Sequence, residues 1–352
     1  MKWLEMVGRT PIGLDLGRRR IKAVQLSRGR DGWRLQAAAC LPRPEPGAAM
    51  DPAQVRALRE VLCRQGFTGK EVVLAAPREK LLTGMLELPS RSSGAPLDQI
   101  ARMELARIHK CDPDSFELAY WDVPVPNRPA EGTRVMAAAC AHADTEPLLD
   151  LFEREGLNVR ALDLHACAIA RACRPALADE PAITCVVDMG WACARLFIMY
   201  RGVVVYERPL GETGGKYLSE GLNRQLGLDL EMTDSVLAEV GLGAEAKGRE
   251  DSESFDDLRR IIASHLDSMV QELRVSFSYA LRQYGDAVTE RLLLIGGGAA
   301  IPGVGGYLAS ALSLDVQPVV PARVAHCSPA VMDVCGSPAL TMALGLAQFV
   351  GK

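Results

Sequence analysis

Two short motifs place a carboxylate two residues before a glycine at the end of an apolar run: Asp15-Leu16-Gly17 and Asp188-Met189-Gly190. Both pairs of equivalent positions, 15 with 188 and 17 with 190, are 173 residues apart. An aspartate at a strand end can satisfy the amides of its own turn. It can also act in a cleft, if two such turns face each other. A third glycine run, Gly296-Gly297-Gly298, follows the apolar stretch 291–295 and reads as a tight strand-to-helix turn. Other chemistry has less support. The ten cysteines, at 40, 63, 111, 140, 167, 173, 185, 193, 327 and 335, form no C-x-x-C pair and no histidine-linked zinc pattern. Several lie in Ala/Val-rich runs, so they read as reduced, buried thiols used as small hydrophobes. The five histidines, at 109, 142, 165, 265 and 326, are scattered, and no metal centre built from them is expected.

The elements that position these turns follow from the apolar patterning. Residues 12–16 read as a strand, 17–20 as a turn, 21–27 as a half-buried alternating strand, and 33–40 as a third strand after a turn at 29–32. The same meander returns at 182–188, 194–200 and 203–208. A repeat of half the chain length implies a duplicated domain, since a solenoid would repeat every ~20–50 residues. Two similar lobes would then each offer one Asp-x-Gly turn to the cleft between them. Around the meanders, 51–65 reads as a helix with Asp51 as cap and Pro52 at its first position. A short buried strand is expected at 71–76 and a helix linking the lobes at 163–173. Residues 78–159 read as an inserted unit, with strands near 81–88, 116–123 and 134–141, helices near 97–110 and 145–155, and a Pro-rich polar loop at 124–132. Later helices are expected at 214–225, 233–241, 255–284, 302–313 and 337–350. The stretch 245–257 carries six acids and two bases, so it reads as a solvated segment.

Composition narrows the classes. At 352 residues, 48% hydrophobic and 24% charged, the chain fits about two globular domains and excludes wholesale disorder. A formal net charge of −4 argues against a strongly basic nucleic-acid binder. No run approaches the ~20 apolar residues that span a bilayer, and the first residues do not form a signal peptide. The protein is therefore expected in the cytoplasm, with any membrane attachment supplied by a partner.

Two Asp-x-Gly hairpins and a late Gly-Gly-Gly turn resemble the actin/Hsp70/sugar-kinase ATPase superfamily. Within it, the closer resemblance is to the PilM family of type IV pilus assembly proteins. The residues that carry it are Ile12–Gly17 with Ile21–Leu26, Leu86-Glu87-Leu88-Pro89 with Leu97–Ile100 and Glu104, Arg208 with Gly214-Gly215 and Leu218, Ala238-Glu239, Leu292–Gly303, and Gly345-Leu346-Ala347. The resemblance implies a two-lobed actin-like α/β fold, RNase H-like and duplicated, with an inserted βαββα subdomain. The first lobe would be 9–77 with 160–180 and 338–352, the insert 78–159, the second lobe 181–226 with 286–337, and its helical subdomain 227–285. It also implies a nucleotide site made of Asp15, Gly17, Lys22, Asp188, Gly190, Gly214, Gly215, Glu239, Gly296, Gly297 and Gly298. In it Asp15 and Asp188 would organise Mg²⁺ through its waters beside ATP. FtsA shares the relocated insert but usually adds an amphipathic membrane helix, and GspL shares the fold but carries a transmembrane helix.

The turns depart from that pattern. Where hydroxyl residues usually follow Asp-x-Gly, the first turn has Arg18-Arg19-Arg20 and the second Trp191-Ala192-Cys193. Arginines could clamp phosphate bidentately, whereas bulky side chains could equally fill a cleft that no longer needs nucleotide. Lys22 could reach a phosphate or be a solvated strand residue. His165, on the linking helix, could activate water or simply be packed, and no catalytic residue is assigned. The expectation is a scaffold with weak or degenerate ATP binding. It would bind the short cytoplasmic N-terminal peptide of a PilN-like bitopic protein, between the first lobe and the insert, and through it meet PilO- and PilP-like proteins and the pilus motor ATPases at the inner membrane. The alternatives are an active ATPase or small-molecule kinase, an actin-like filament, and a GspL-like or FtsA-like scaffold.

Overall fold

The alternating residues after Pro11 form β1 (Ile12–Leu16), β2 (Arg20–Gly29) and β3 (Gly32–Pro42), an antiparallel meander. This computed structural model describes residues 8–29, 32–124, 132–177, 183–242, 252–284 and 289–350. The meander leads to α1 (Pro52–Arg64), which starts where Asp51 accepts a bond from the Gln54 amide at 2.8 Å and Pro52 supplies a ready-made helical φ. Next comes β4 (Glu71–Ala75), parallel to β1.

The insert follows as β5 (Leu81–Pro89), α2 (Leu97–His109), β6 (Phe116–Asp122) and β7 (Gly132–Ala141), with sheet order β5-β7-β6. The Pro-rich loop expected at 124–132 lies almost wholly outside the described residues. The next helix, α3 (His142–Arg154), continues the βαββα order. Its Leu148, Leu151 and Phe152, however, pack in the core of the first sheet. By packing, then, this helix goes with the first lobe, although the sequence reading ran the insert to residue 159. Residues 158–163 differ more clearly from expectation. They form β8 (Asn158–Asp163), parallel to β4, and the linking helix α4 (His165–Cys173) starts only after it.

The second lobe repeats the first. β9 (Ile183–Met189), β10 (Ala194–Tyr200) and β11 (Val203–Pro209) form the second antiparallel meander. Helices α5 (Gly215–Leu226), α6 (Leu230–Glu239) and α7 (Ser252–Tyr284) follow. Much of the acidic stretch between α6 and α7 lies outside the described residues. Then β12 (Thr289–Ile295) runs parallel to β9, α8 (Val304–Leu312) leads to β13 (Asp315–Pro318), and α9 (Pro321–Val324) to β14 (His326–Cys327). The chain returns through α10 (Met332–Cys335) to α11 (Thr341–Ala347). The sheet orders are β14-β3-β2-β1-β4-β8 and β11-β10-β9-β12-β13. Apart from β14, which pairs in parallel with β3 at the edge of the first sheet, both of these sheets have three antiparallel strands followed by two parallel ones, so the sequence repeat is a structural repeat.

Helices α4 and α11 fill the layer between the two sheets. One buried cluster joins Val73 of β4, Ile169 of α4, Val186 and Phe197 of the second sheet, and Leu346 of α11. Two glycines permit this packing. A Cβ at Gly345 would collide with the carbonyl of Ala168, and one at Gly13 would collide with the backbone of α11. Arg171 of α4 completes the joint by donating to the Gly345 carbonyl at 2.9 and 3.1 Å and pairing with Asp163. All ten cysteines are free; Cys173, Cys185 and Cys335 are buried as expected, but Cys40 and Cys63 are exposed. Among the described residues no helix is long and apolar enough to cross a membrane.

Gly345→Ala is expected to cost about 1–3 kcal/mol or more, because the atoms nearest the new methyl all belong to the Ala168 backbone and cannot rotate away. Gly305→Ala in α8 meets nothing within 4 Å and is expected to be neutral or stabilising by about 0.5–1 kcal/mol. Thermal unfolding of the two variants checks this; equal effects would overturn the packing argument.

Candidate functional site

The two meanders end in turns that face each other, and each aspartate has a basic residue directly across its hairpin. Asp15 pairs in register with Lys22, and Asp188 with Arg195. The spacing is seven residues in both lobes (22−15 and 195−188), so the aspartate–base pair belongs to the repeat. Opposed strand positions share one face of the sheet, which brings each base to the cleft beside its aspartate.

In the first lobe the pair is closed. Lys22 Nζ lies 2.9 Å from Asp15 Oδ2, and both side chains are only 15% exposed. Burial works against the ammonium, but the charge and hydrogen bond of Asp15 outweigh it and hold the Lys22 pKa above its ordinary value. In the second lobe the longer Arg195 reaches past Asp188 to Glu207, at 3.3 Å. Asp188 instead faces Arg78, the third residue of the crossing from β4 into the insert, at 3.6 Å. The same guanidinium lies 3.6 Å from Glu207 and over the Phe197 ring. Burial raises the Asp188 pKa, with the charge of Asp15 adding to it, against the opposing pull of Arg78. Burial also lowers the pKa of Arg78, although a guanidinium stays charged.

The arginines of the first turn are also paired. Arg18 reaches Glu79 at 2.5 Å and the Gly47 carbonyl at 2.9 Å. Arg19 and Arg20 both reach Asp234 Oδ2 on α6, at 2.9 and 2.8 Å. Arg19 also lies over the indole of Trp191 in the opposite turn, 5.8 Å from its centre.

The glycines have tight packing roles. Gly17 sits against Lys22 and the Arg20 carbonyl. Gly190 lies against the Cys193 carbonyl, and Gly214 against the backbone of Ala192 and Cys193. Gly215 faces the Trp191 ring. Gly296, with φ 85°, has Asp188 Oδ1 where its Cβ would be, and Gly298 has Met189. Gly297 alone of this run meets nothing within 4 Å. The glycine turn therefore seals the end of β9. An open groove of 650 Å³ lies beyond it, lined by residues such as Ala300, Pro302, Pro318 and Ser337, and none of the candidate aspartates lines it.

Two candidates stand apart. Glu239 is on the exposed side of α6, accepting a bond from Ser235 at 3.3 Å. His165 opens α4, and its Nδ1 is enclosed with no hydrogen-bond partner. Burial, then the charges of Arg78 and Arg195, push its pKa well below the ordinary value, which leaves it neutral and a poor proton acceptor. The packed reading of His165 fits better than the water-activating one.

A Mg²⁺–triphosphate needs carboxylates open to the metal's waters and turn donors open to phosphate. Here Asp15 and Asp188 face Lys22 and Arg78, the first-turn arginines face Glu79 and Asp234, and Trp191 stands in the opposite turn. In this conformation the residues at the phosphate end do not fit that ligand. Sequence reasoning missed Arg78, Glu79, Arg195, Glu207 and Asp234, of which only Arg195 carried a signal, its place in the repeat.

Arg78→Met is expected to lower stability by about 1–3 kcal/mol at neutral pH, the loss of one partner of a partly exposed ion pair. Removing the guanidinium pushes the folded-state Asp188 further above its unfolded value. The deficit is thus full well above the ordinary carboxylate range, shrinks as pH falls through the raised Asp188 values, and is gone by about pH 4, the ordinary carboxylate value. Adding Asp188→Asn should recover part of the loss. Urea unfolding across pH measures both effects, and a pH-independent deficit would count against the pairing.

The sequence profile of the family described as type IV pilus assembly protein PilM matches residues 13–348. Among solved structures, the chain is similar to the PilM-PilN type IV pilus biogenesis complex, at 24% identity and TM-score 0.75, over 96% of this chain and 97% of that one. It is also similar to the ethanolamine utilization protein EutJ from Carboxydothermus hydrogenoformans, at 15% identity and TM-score 0.55, over 97% of this chain and 90% of that one. Together with the duplicated sheets, these likenesses give a two-lobed actin-like α/β fold. Matched along nearly its whole length, the chain belongs to the type IV pilus assembly protein PilM family.

Proposed function

We propose that this chain is a non-catalytic scaffold of the type IV pilus inner-membrane assembly complex. It binds the short cytoplasmic N-terminal peptide of a PilN-like bitopic partner. Through that partner it sits on the cytoplasmic face of the inner membrane and meets PilO- and PilP-like proteins and the pilus motor ATPases. The observation that carries the non-catalytic part is the neutralisation of both cleft aspartates by the chain's own bases, Lys22 and Arg78. A displaced ammonium or guanidinium would have to find new solvation before a metal could take its place.

The partner follows from the family and from the PilM-PilN complex, which this chain resembles. The peptide is placed between the first lobe and the insert. The insert offers β5 as a sheet edge, the kind of template on which an extended peptide adds a strand. Met85 on β5, with Met103 and Ile108 on α2, are among the exposed large apolar side chains of the protein, and methionine adapts readily to a partner's shape.

Two titrations test the reading. A synthetic N-terminal peptide of a PilN-like bitopic protein is expected to bind in about the micromolar range, weakened by Met85→Asp. A fluorescent ATP analogue with Mg²⁺ is expected to show no saturation up to roughly millimolar concentration. Absence of peptide binding would sink the partner assignment. Micromolar nucleotide binding lost in Asp15→Ala and Asp188→Ala, with turnover above the Asp188→Ala control, would replace the scaffold with an ATPase.

A further inference from the structure

In a two-lobed fold of this kind a ligand between the turns would draw the lobes together. The structure assigns that task to the protein itself: Arg19 and Arg20 of the first turn and Asp234 of α6 form a latch that closes the cleft without nucleotide. This goes beyond the scaffold reading and does not depend on it.

Three observations carry the latch. First, a single carboxylate oxygen, Asp234 Oδ2, receives two guanidinium groups from the other lobe, at 2.9 Å from Arg19 and 2.8 Å from Arg20. Charge-assisted bonds of this kind are stronger than neutral ones, and the Arg19 side chain is only 17% exposed, which limits screening by water and salt. Second, Arg19 touches the second lobe twice, because its guanidinium also lies over Trp191. A planar cation held between a carboxylate and an indole face is fixed in orientation as well as in position.

Third, both ends of the latch are anchored in their own lobes. On the first lobe, the Arg43 amide donates to the Arg19 carbonyl at 3.0 Å, the Gly47 amide donates to the Arg18 carbonyl at 2.8 Å, and Glu79 holds Arg18. On the second, Asp229 caps α6 by accepting from the Glu231 and Met232 amides, and Thr233, next to Asp234, is buried. Beyond the helix, the Leu242 amide donates to the Pro302 carbonyl at 2.8 Å. Trp191 is tied to the start of α5 by the Lys216 amide, which donates to its carbonyl at 2.9 Å. Opening the lobes must therefore break the Asp234 and Trp191 contacts, since neither the turn nor α6 is free to follow the other. The arginine triplet that replaces the expected turn hydroxyls gains a positive role here: it binds a carboxylate of the same chain in place of a phosphate.

Lobe separation can be read by small-angle X-ray scattering and by hydrogen exchange of the β1–β2 turn and α6. Wild-type protein is expected to give the same scattering curve with and without millimolar Mg·ATP. Asp234→Asn is expected to increase the radius of gyration and to speed exchange in both segments by roughly tenfold, as should 1 M salt in part. Arg20→Gln, which keeps Arg19, should give a smaller change of the same sign. A charge swap, Arg19→Glu and Arg20→Glu with Asp234→Arg, is expected to restore the compact state, which loss of folding alone could not do. Scattering and exchange of Asp234→Asn and Arg20→Gln identical to wild type would overturn the latch, as would a wild type that is open until Mg·ATP closes it. Peptide binding is not part of this readout, so failure here leaves the scaffold reading standing.

Discussion

The arrangement rests on one close contact, the crossing of α4 and α11 between the two sheets. Ordinary side chains hold packed helices about 8–10 Å apart, and Gly345 removes the side chain at the point of contact with Ala168. Only then can both helices occupy a single layer and touch both sheets at once. Gly13 repeats the device where α11 meets β1. The joint sets the angle between the lobes, and hence where the Asp15 and Asp188 turns stand. Arg171 stiffens it with its bonds to the Gly345 carbonyl and Asp163.

Above that joint the cleft is balanced by charge. Each lobe carries an aspartate at the end of its first strand and a base across the hairpin, inherited with the duplication. The second lobe then breaks symmetry. Arg195 is drawn to Glu207, and Arg78 enters from the start of the insert to stand by Asp188. The insert is thereby connected to the floor of the cleft through Arg78, and to the first turn through Glu79. A change in the posture of the insert would be felt at Asp188, where burial, which raises the pKa, outweighs the pull of Arg78.

Much of this was legible in the sequence. The 173-residue repeat identified the two meanders, and the Asp51-Pro52 cap gave the start of α1. The strand at 158–163 was missed because its apolar residues run directly into the Ala-rich helix, and only pairing with β4 decides between helix and strand there. The site was harder to read for the same reason: ion pairs depend on separation in space. Lys22 lies near its partner in sequence, but Arg19 and Asp234 are 215 residues apart and Arg78 and Asp188 are 110 apart (188−78). Nothing local in Pro77-Arg78-Glu79 distinguishes a buried guanidinium from a solvated one. The run Gly296–Gly298 was read as a tight strand-to-helix turn, but that Gly296 and Gly298 make room for the end of β9 is visible only in three dimensions.

The placement of α11 has a consequence for how the molecule is made. β1 emerges early in synthesis, yet the groove at Gly13 is filled only by residues 343–347. The two are more than three hundred residues apart, and contacts of such long range form late. Until α11 has left the ribosome, the apolar faces of both sheets that it covers stay open to water. The half-finished chain therefore carries a sticky seam along its middle, and the first lobe cannot lock its hinge by itself. Protection of that seam during translation, by a chaperone or by rapid docking of α4 alone, is a requirement built into the order of the elements.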